Sequence, residues 1–360
     1  MILSRSDMPA HILHCIFGED ALFSALEDEA DTILDAHGAV YKFGCQGPDF
    51  FYHNQRTKPS AMRFGSLIHR HGFGSLIMNM VRAANSHEGE AFERTAAYIL
   101  GFATHAFLDR AAHPYIGYHS GWVSPRVKES HRFLRCHPFL ERIIDVLMLK
   151  ICRTTSIADF DFLSEVDCGQ QLPDCIVEPL GQSIATTYQQ DLLPSGLAQR
   201  IANAYQDTIL FYRMTNPRDP HCILRAYQRD EQDGFRTRRL ALLHPHHVPE
   251  EIDFLNTGKK TWCHPCDDQV TSDLSFQEVY ADALAAVRPA IRTTWRAIHG
   301  ELAVKSLAET IGNENLDTGK TNESPCRPTY SKPFPLPELL DEMYANLARP
   351  DCRSAVSPTL

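Results

Sequence analysis

Residues 105–113 carry the feature that most limits how this chain can fold. They read His-Ala-Phe-Leu-Asp-Arg-Ala-Ala-His, so that His105, Asp109 and His113 are spaced four residues apart. The preceding stretch, 96–104, is apolar and contains no proline, which favours a buried helix. Side chains four residues apart lie on one face of a helix. Three ionisable groups on a buried face are costly unless they are paired, and the partner that this pattern predicts is a metal ion.

Apolar side chains recur at helical intervals along most of the chain. The predicted helices span residues 18–36, 64–84, 90–111, 137–152, 197–213 and 275–298. Alternating runs of β-branched residues are scarce, so the predicted fold class is all-α. Residues 153–195 and 214–262 are expected to be irregular, as lids and insertions often are. From Gly312 to about Lys332 the composition predicts a flexible linker, and a short amphipathic helix is expected over 336–347.

The composition limits the compartment and the partners. The chain has 35 basic and 45 acidic residues, a formal net charge of −10, which gives it no general attraction for nucleic acid or anionic membranes. Its eleven cysteines have no regular spacing, which favours free thiols in a reducing compartment. Neither a signal peptide nor a transmembrane stretch is evident. The sequence therefore predicts a cytoplasmic protein without a stable nucleic-acid partner.

Other residues could complete a metal site around the first three. His137 and Glu141 also lie four residues apart, at the start of an apolar helix, and could hold one ion together. Asp49 lies in a Gly-Pro-Asp turn, where its alternative role is to cap the next helix. Three single histidines are further candidates, with hydrogen-bonded core histidines as the alternative: His11, His14 and His69.

Two further groups are weaker candidates. Cys263 and Cys266 have the two-residue gap of redox and zinc motifs, but no second cysteine pair accompanies them. His244, His246 and His247 lie in a stretch interrupted by proline, where solvated side chains are expected.

Taken in order, the motifs at 8–19, 47–53, 65–69, 101–116 and 137–145 resemble the zinc-dependent phospholipase C family. That fold is shared with zinc-dependent single-strand nucleases. Residues 256–265 and 275–280 also look like the C-terminal part of the family. The resemblance implies a multi-helix bundle around a metal cluster over residues 8–300. The rest, 301–360, is expected to be a partly flexible tail with one short amphipathic helix.

The resemblance implies up to three zinc ions. His69, His105 and Asp109 would hold one of them. Asp109 would bridge to a second ion, which His14 would also bind.

The third ion, the more exposed one, would be held by His113, His137 and Glu141. Asp49 would lie beside the attacking water, as general base or as a bridging ligand. Asp49 and Glu141 are thus the carboxylates expected to take part in catalysis.

The N-terminus departs from the family pattern. In secreted relatives the first residue of the mature chain contributes its amino group to the zinc that the first histidine binds. Here seven residues precede Met8. Translation from Met8 and removal of that methionine would expose the amine of Pro9, five residues before His14. Alternatively, His11 takes the place of the amine.

The expected activity is hydrolysis of phosphodiesters by a metal-activated water, with release of phospholipid headgroups as the family reaction. Phe50, Phe51, Tyr52 and Tyr115 could line the approach to the site. A single-strand nuclease on the same scaffold is one alternative, although it would favour basic residues and stacking aromatics around the cleft. A non-catalytic zinc-binding scaffold is the other. Assays on phosphatidylcholine and single-stranded DNA would separate the two enzymes.

Overall fold

A computed structural model describes residues 11–124, 126–189, 194–321, 326 and 328–349. The α-helices of these residues are α1 (Ile12–Leu26), α2 (Asp28–Cys45), α3 (Met62–Arg70), α4 (Phe73–Ala84), α5 (Gly89–Ser120), α6 (Cys136–Arg153), α7 (Phe162–Val166), α8 (Asp174–Tyr188), α9 (Pro194–Met214), α10 (Cys222–Gln232), α11 (Phe276–Ile298), α12 (Leu307–Ile311) and α13 (Leu336–Ala348). Short 3-10 helices span Gly47–His53, Lys128–Phe133, Arg239–Leu242 and Val304–Ser306. Strands β1 (Trp262–His264) and β2 (Asp267–Ser272) form one antiparallel hairpin. The all-α prediction is confirmed.

Several predicted helices have different boundaries in the structure. The helix expected over 18–36 is divided between α1 and α2 at Glu27, whose φ is 49°. The helix expected over 64–84 is divided between α3 and α4 at Gly72, whose φ is 79°. α5 continues past Pro114 to Ser120 although proline removes one intrahelical hydrogen bond. A pattern of apolar residues can continue across such a break because both helices face the same core.

The stretches expected to be irregular contain further elements. α7 and α8 lie within 153–195, and α10 and the start of the β-hairpin lie within 214–262. The missed helices are short or contain an internal proline, such as Pro179 in α8, which weakens the helical pattern in the sequence.

α5 is the central helix of the core. Its residues from Thr95 to Ile116 are buried on nearly every side, and it packs against α1, α2, α4, α6, α8 and α11. α2 approaches it closely because two glycines lie at the crossing. A Cβ at Gly101 would lie 2.1 Å from the carbonyl oxygen of Tyr41, and one at Gly44 would lie 2.5 Å from that of Tyr98. This close packing holds the stripe of His105, Asp109 and His113 in the interior.

The segment that follows α12 differs from the linker that its composition suggests. Within the described residues 312–321, the amide of Leu316 donates to the carbonyl of His69 at 2.8 Å, and the amide of Gly74 donates to that of Gly312 at 2.8 Å. Arg110 of α5 donates to the carbonyl of Ile311 at 2.6 Å. Polar side chains made this segment look unstructured, whereas its order comes from main-chain hydrogen bonds that composition does not reveal.

A disulfide and the packing of α13 are among the contacts that attach the C-terminal part of the described chain. Cys266, in the turn of the β-hairpin, forms a disulfide with Cys326. The expectation of free thiols is therefore wrong for this pair. α13 packs against α10 and the 3-10 helix Arg239–Leu242, where Tyr344 and Leu347 cover a small apolar cluster around Tyr227 and Leu240.

Candidate metal centre

Five elements bring their polar side chains to one point inside the helical core. α5 contributes three of these residues, α6 two, and α1, α3 and the 3-10 helix Gly47–His53 one each. They are His14, Asp49, His69, His105, Asp109, His113, His137 and Glu141. All are buried except His137, whose side chain is 26 % exposed. The eight predicted site residues thus lie together, and their role as ligands remains a prediction.

The inner part of this centre surrounds the carboxylates of Asp49 and Asp109. The Nε2 atom of His69 lies 2.9 Å from Oδ1 of Asp49 and 3.5 Å from Oδ2 of Asp109. The Nε2 atom of His105 lies 3.0 Å from Oδ2 of Asp109 and 3.7 Å from Oδ2 of Asp49. His14 approaches the other oxygen of Asp109 at 3.3 Å. Two overlapping donor groups result, His14/Asp49/His105 and His69/His105/Asp109.

The outer part is a third donor group, formed by His113, His137 and Glu141. Oε1 of Glu141 lies 3.2 Å from Nε2 of His137 and 3.5 Å from Nε2 of His113. His113 is also 3.9 Å from Oδ1 of Asp109, so the outer group adjoins the inner ones. His137 is its most exposed member, which agrees with the expectation of a more accessible third ion.

Backbone hydrogen bonds orient two of the imidazole rings toward the centre. Nδ1 of His69 lies 2.8 Å from the carbonyl oxygen of Gly65, and Nδ1 of His105 lies 3.2 Å from that of Cys45. A ring that donates through Nδ1 keeps the lone pair of Nε2 for a metal ion. Gly47 makes room for the ring of His105. Its φ is +53°, and a Cβ there would lie 2.2 Å from Cγ of His105.

The carboxylates keep their negative charge in this buried place. Burial alone would raise the pKa of Asp109, but the charges of His105 and His113 hold it well below its ordinary value. Burial would likewise raise the pKa of Glu141, but the charge of His137 and the hydrogen bonds from His113 and His137 lower it to about 2. Both groups are therefore ionised at neutral pH, the form that binds metal.

The donor set fits divalent metal ions. Both carboxylate oxygens of Asp49, Oδ2 of Asp109, Oε2 of Glu141 and Nε2 of His105 are buried without a hydrogen-bond partner. Buried polar atoms are seldom left in this way, because each unmade hydrogen bond costs about 1–3 kcal/mol. Imidazole nitrogen and carboxylate oxygen are ligands that zinc prefers. Zinc ions within these donor groups would satisfy the orphaned atoms.

His11 lies apart from these donor groups. Its ring centroid is 4.5 Å from that of Phe162 and 4.9 Å from those of Tyr212 and His244. Burial and the nearby charge of Arg142 hold its pKa well below the ordinary value. The structure thus places His11 among aromatic rings and not among the grouped ligands. The alternative based on an amine at Pro9 concerns residues outside the described chain.

The expectation that four aromatic residues line the approach to the site is wrong for three of them. Phe50, Phe51 and Tyr115 are fully buried core residues, and only Tyr52 of the four aromatics is partly exposed near the centre. The hydroxyl of Tyr52 lies 3.4 Å from Nδ1 of His69.

His244, expected to be solvated, is also buried. Its Nε2 lies 2.9 Å from Oδ2 of Asp145. Asp145 in turn accepts the amide of Leu13 at 2.8 Å, so the pair links α6 to the first turn of α1. That turn carries His14 one residue further on.

A fourth cluster of possible ligands lies outside this centre: His264, Cys266 and Cys326. The two sulfurs form the disulfide, and both ring nitrogens of His264 are engaged. Nδ1 accepts the amide of Cys266 at 3.1 Å, and Nε2 lies 3.0 Å from the carbonyl oxygen of Thr318. This cluster therefore serves to attach the segment around Thr318 and not to bind metal.

Asp317 is a residue near the site that the sequence did not reveal. Its Oδ1 lies 3.6 Å from Nδ1 of His113. It lies in the polar segment interpreted as a linker, far along the chain from every predicted ligand, and no spacing pattern connects it with them.

Comparison with known proteins supports the resemblance stated above. Residues 13–165 match the model of a protein family described as zinc dependent phospholipase C. This span contains all eight residues of the candidate centre, and the resemblance is confirmed over it. Neither a curated protein nor a solved structure matches the chain. Among the described residues, no helix combines the length and apolar character needed to cross a membrane.

Proposed function

We propose that this protein is a zinc-dependent hydrolase of phosphodiesters that releases headgroups from phospholipids in the manner of a phospholipase C. The observation that carries the proposal is the convergence of eight imidazole and carboxylate groups into three adjoining donor groups within the matched span. Their buried, unpaired acceptor atoms support metal binding in particular. Zinc, at up to three ions, and the phospholipid substrate belong to this proposal. The cytoplasmic location stays a prediction, and the disulfide between Cys266 and Cys326 argues against it because disulfides are rare in reducing compartments.

Bound divalent ions would neutralise the phosphodiester, lower the pKa of water and stabilise the leaving oxygen. The residues of the chain hold the reacting groups in place. Asp49 faces the inner groups with both oxygens free of hydrogen bonds, so it can accept a proton from an attacking water or hold a cation. His69 and His105 are fixed in ring orientation by the backbone, which removes the need for rearrangement during the reaction.

The outer group, with Glu141 between His113 and His137, is the more accessible end of the centre. A phosphodiester would thus enter from the side of His137. The roles of Asp49 and Glu141 as catalytic carboxylates follow from these positions and are part of the proposal.

The first test removes one ligand from each part of the centre. We expect His105→Ala and Glu141→Ala each to bind fewer zinc ions than the wild type by elemental analysis. Hydrolysis of phosphatidylcholine should fall by at least roughly 100-fold, because the ions supply several kcal/mol of transition-state stabilisation. His299→Ala, an exposed histidine at the end of α11 whose Nδ1 bonds to the carbonyl of Trp295, is the matched control. Unchanged zinc content in both ligand variants would contradict the proposed centre.

The substrate is tested with the zinc-loaded wild type on phosphatidylcholine vesicles and on single-stranded DNA. Turnover of lipid and not of DNA supports the proposal, whereas preferential cleavage of DNA would replace it with a nuclease. Binding of zinc with no turnover of either substrate would favour a scaffold role.

Asp49→Asn separates the two roles of that carboxylate. As a general base, Asp49 would contribute roughly 10²–10⁴-fold to turnover while the zinc content stays the same. As a bridging ligand, its replacement would lower the zinc content as well.

A further inference from the structure

The segment Gly312–Lys320 lies against the rim of the candidate metal centre and is held there at several points. The amide of Leu316 donates to the carbonyl of His69 at 2.8 Å. His264 lies 3.0 Å from the carbonyl oxygen of Thr318 through its Nε2. These contacts flank Asp317 on both sides, so its backbone position is fixed although its side chain is 56 % exposed.

The two ring nitrogens of His113 face different groups. Nε2 faces the centre, 3.5 Å from Oε1 of Glu141 and 3.9 Å from Oδ1 of Asp109. Nδ1 faces outward to Oδ1 of Asp317 at 3.6 Å. Nδ1 is buried and has no hydrogen-bond partner, whereas Nδ1 of His69 and of His105 each has a backbone carbonyl.

We propose that Asp317 is a positioning residue of the metal centre, which accepts the Nδ1 proton of His113 and thereby orients Nε2 toward the ion of the outer group. This inference rests on the proposed metal centre but not on the identity of the substrate. Metal-binding histidines commonly donate their second ring nitrogen to a carboxylate or a carbonyl, and loss of that partner weakens metal binding roughly 10- to 100-fold.

The physical argument concerns tautomer and orientation. A neutral imidazole carries its proton on one nitrogen only, so an acceptor at Nδ1 leaves the lone pair on Nε2. The present separation of 3.6 Å is longer than a hydrogen bond. Accepting the proton therefore requires the side chain of Asp317, which is 56 % exposed to solvent, to rotate toward Nδ1.

The test compares zinc affinity in three variants, measured by competition with a chromogenic chelator. We expect Asp317→Ala to weaken the binding of the most weakly held zinc by about tenfold. This is the lower end of the roughly 10- to 100-fold range given above, because the side chain of Asp317 is exposed. Asp317→Asn should remain within about threefold of the wild type, since its amide oxygen still accepts the Nδ1 proton. Glu314→Gln is the matched control, because it alters a carboxylate of the same segment that faces Arg110 at 3.5 Å.

Three results would overturn the proposal. Zinc affinity in Asp317→Ala equal to that of the wild type would show that His113 needs no such partner. Equal losses in Asp317→Ala and Asp317→Asn would indicate that Asp317 acts through its negative charge and not by accepting the Nδ1 proton. A loss of thermal stability in the zinc-free protein without a change in zinc affinity would indicate a purely structural role.

This experiment also keeps the two proposals apart. A tenfold loss of zinc affinity in Asp317→Ala supports the positioning role even when the wild type hydrolyses no phosphodiester, and in that case only the proposed function fails. Wild-type protein that takes up no zinc would overturn both.

Discussion

Replacing Gly47 with alanine would place a methyl group where the ring of His105 now lies. The new Cβ would be 2.2 Å from Cγ, 2.6 Å from Cδ2 and 2.7 Å from Cβ of His105. These distances are far below van der Waals contact, so either the ring or the backbone of residue 47 must move. The glycine also has a φ of +53°, a conformation that alanine adopts only with strain.

Both effects contribute to the expected loss of stability. A non-glycine residue in a left-handed conformation costs about 1–3 kcal/mol. Forcing an extra methyl group into a packed core costs about another 1–3 kcal/mol. We therefore expect the free energy of unfolding of Gly47→Ala to be lower by roughly 2–6 kcal/mol. Displacement of the ring would also break the contact of Nδ1 with the carbonyl of Cys45, and zinc affinity should fall.

Urea denaturation of the zinc-free and zinc-loaded proteins measures both consequences. Gly38→Ala is the matched control, because Gly38 lies in α2 without a positive φ, and a Cβ there would have no atom within 4 Å apart from its chain neighbours and the backbone of its own helix. That substitution should leave zinc binding unchanged and stabilise the protein by about 0.4–1 kcal/mol. If the slope of the unfolding free energy against urea concentration (the m-value) is equal in all variants, the same unfolding transition is being compared.

The reasoning would be refuted if Gly47→Ala unfolded at the same urea concentration as the wild type and bound zinc with the same affinity. In that case the ring of His105 would not depend on the space at residue 47. A large loss of stability in the zinc-free protein with unchanged zinc affinity would refute only the link between Gly47 and the metal centre.

Two further predictions concern the protein outside the metal centre. The disulfide between Cys266 and Cys326 spans 60 residues, and its loss in Cys326→Ser should lower the free energy of unfolding, measured in urea, by up to about 4 kcal/mol. Cys263→Ser is the control, and a wild type that is equally stable with and without reductant would contradict this prediction. Burial of His119 lowers its pKa to about 4 in the folded protein. Because the same histidine has a pKa of about 6.5 in the unfolded chain, the unfolded chain binds a proton more readily than the folded protein, and stability is lost as the pH falls from about 6.5 toward 4. His119→Phe should remove up to about 3 kcal/mol of this loss, measured as the difference in unfolding free energy between about pH 8 and pH 4; an unchanged pH dependence would contradict it.

Local patterns in the sequence predicted much of the fold and part of the site. The helical class followed from apolar periodicity, and the pairing of His105 with Asp109 and of His137 with Glu141 followed from four-residue spacing. Both depend on the geometry of a single helix, which residues a few positions apart determine among themselves. His14, Asp49 and His69 could be interpreted only through the family resemblance, because a lone histidine or aspartate has no spacing that signals a ligand.

Tertiary packing decided the remainder. The close crossing of α2 and α5 at Gly44 and Gly101 determines where the stripe lies, and Gly47 decides how the ring of His105 points. Asp317 comes within reach of His113, far from it in the sequence, through main-chain hydrogen bonds of a polar segment. Such hydrogen bonds involve atoms that nearly every residue possesses, so the side chains of that segment do not encode them in a recognisable pattern. The sequence by itself therefore determined which groups could bind metal, and the packing of the helices determined which groups meet.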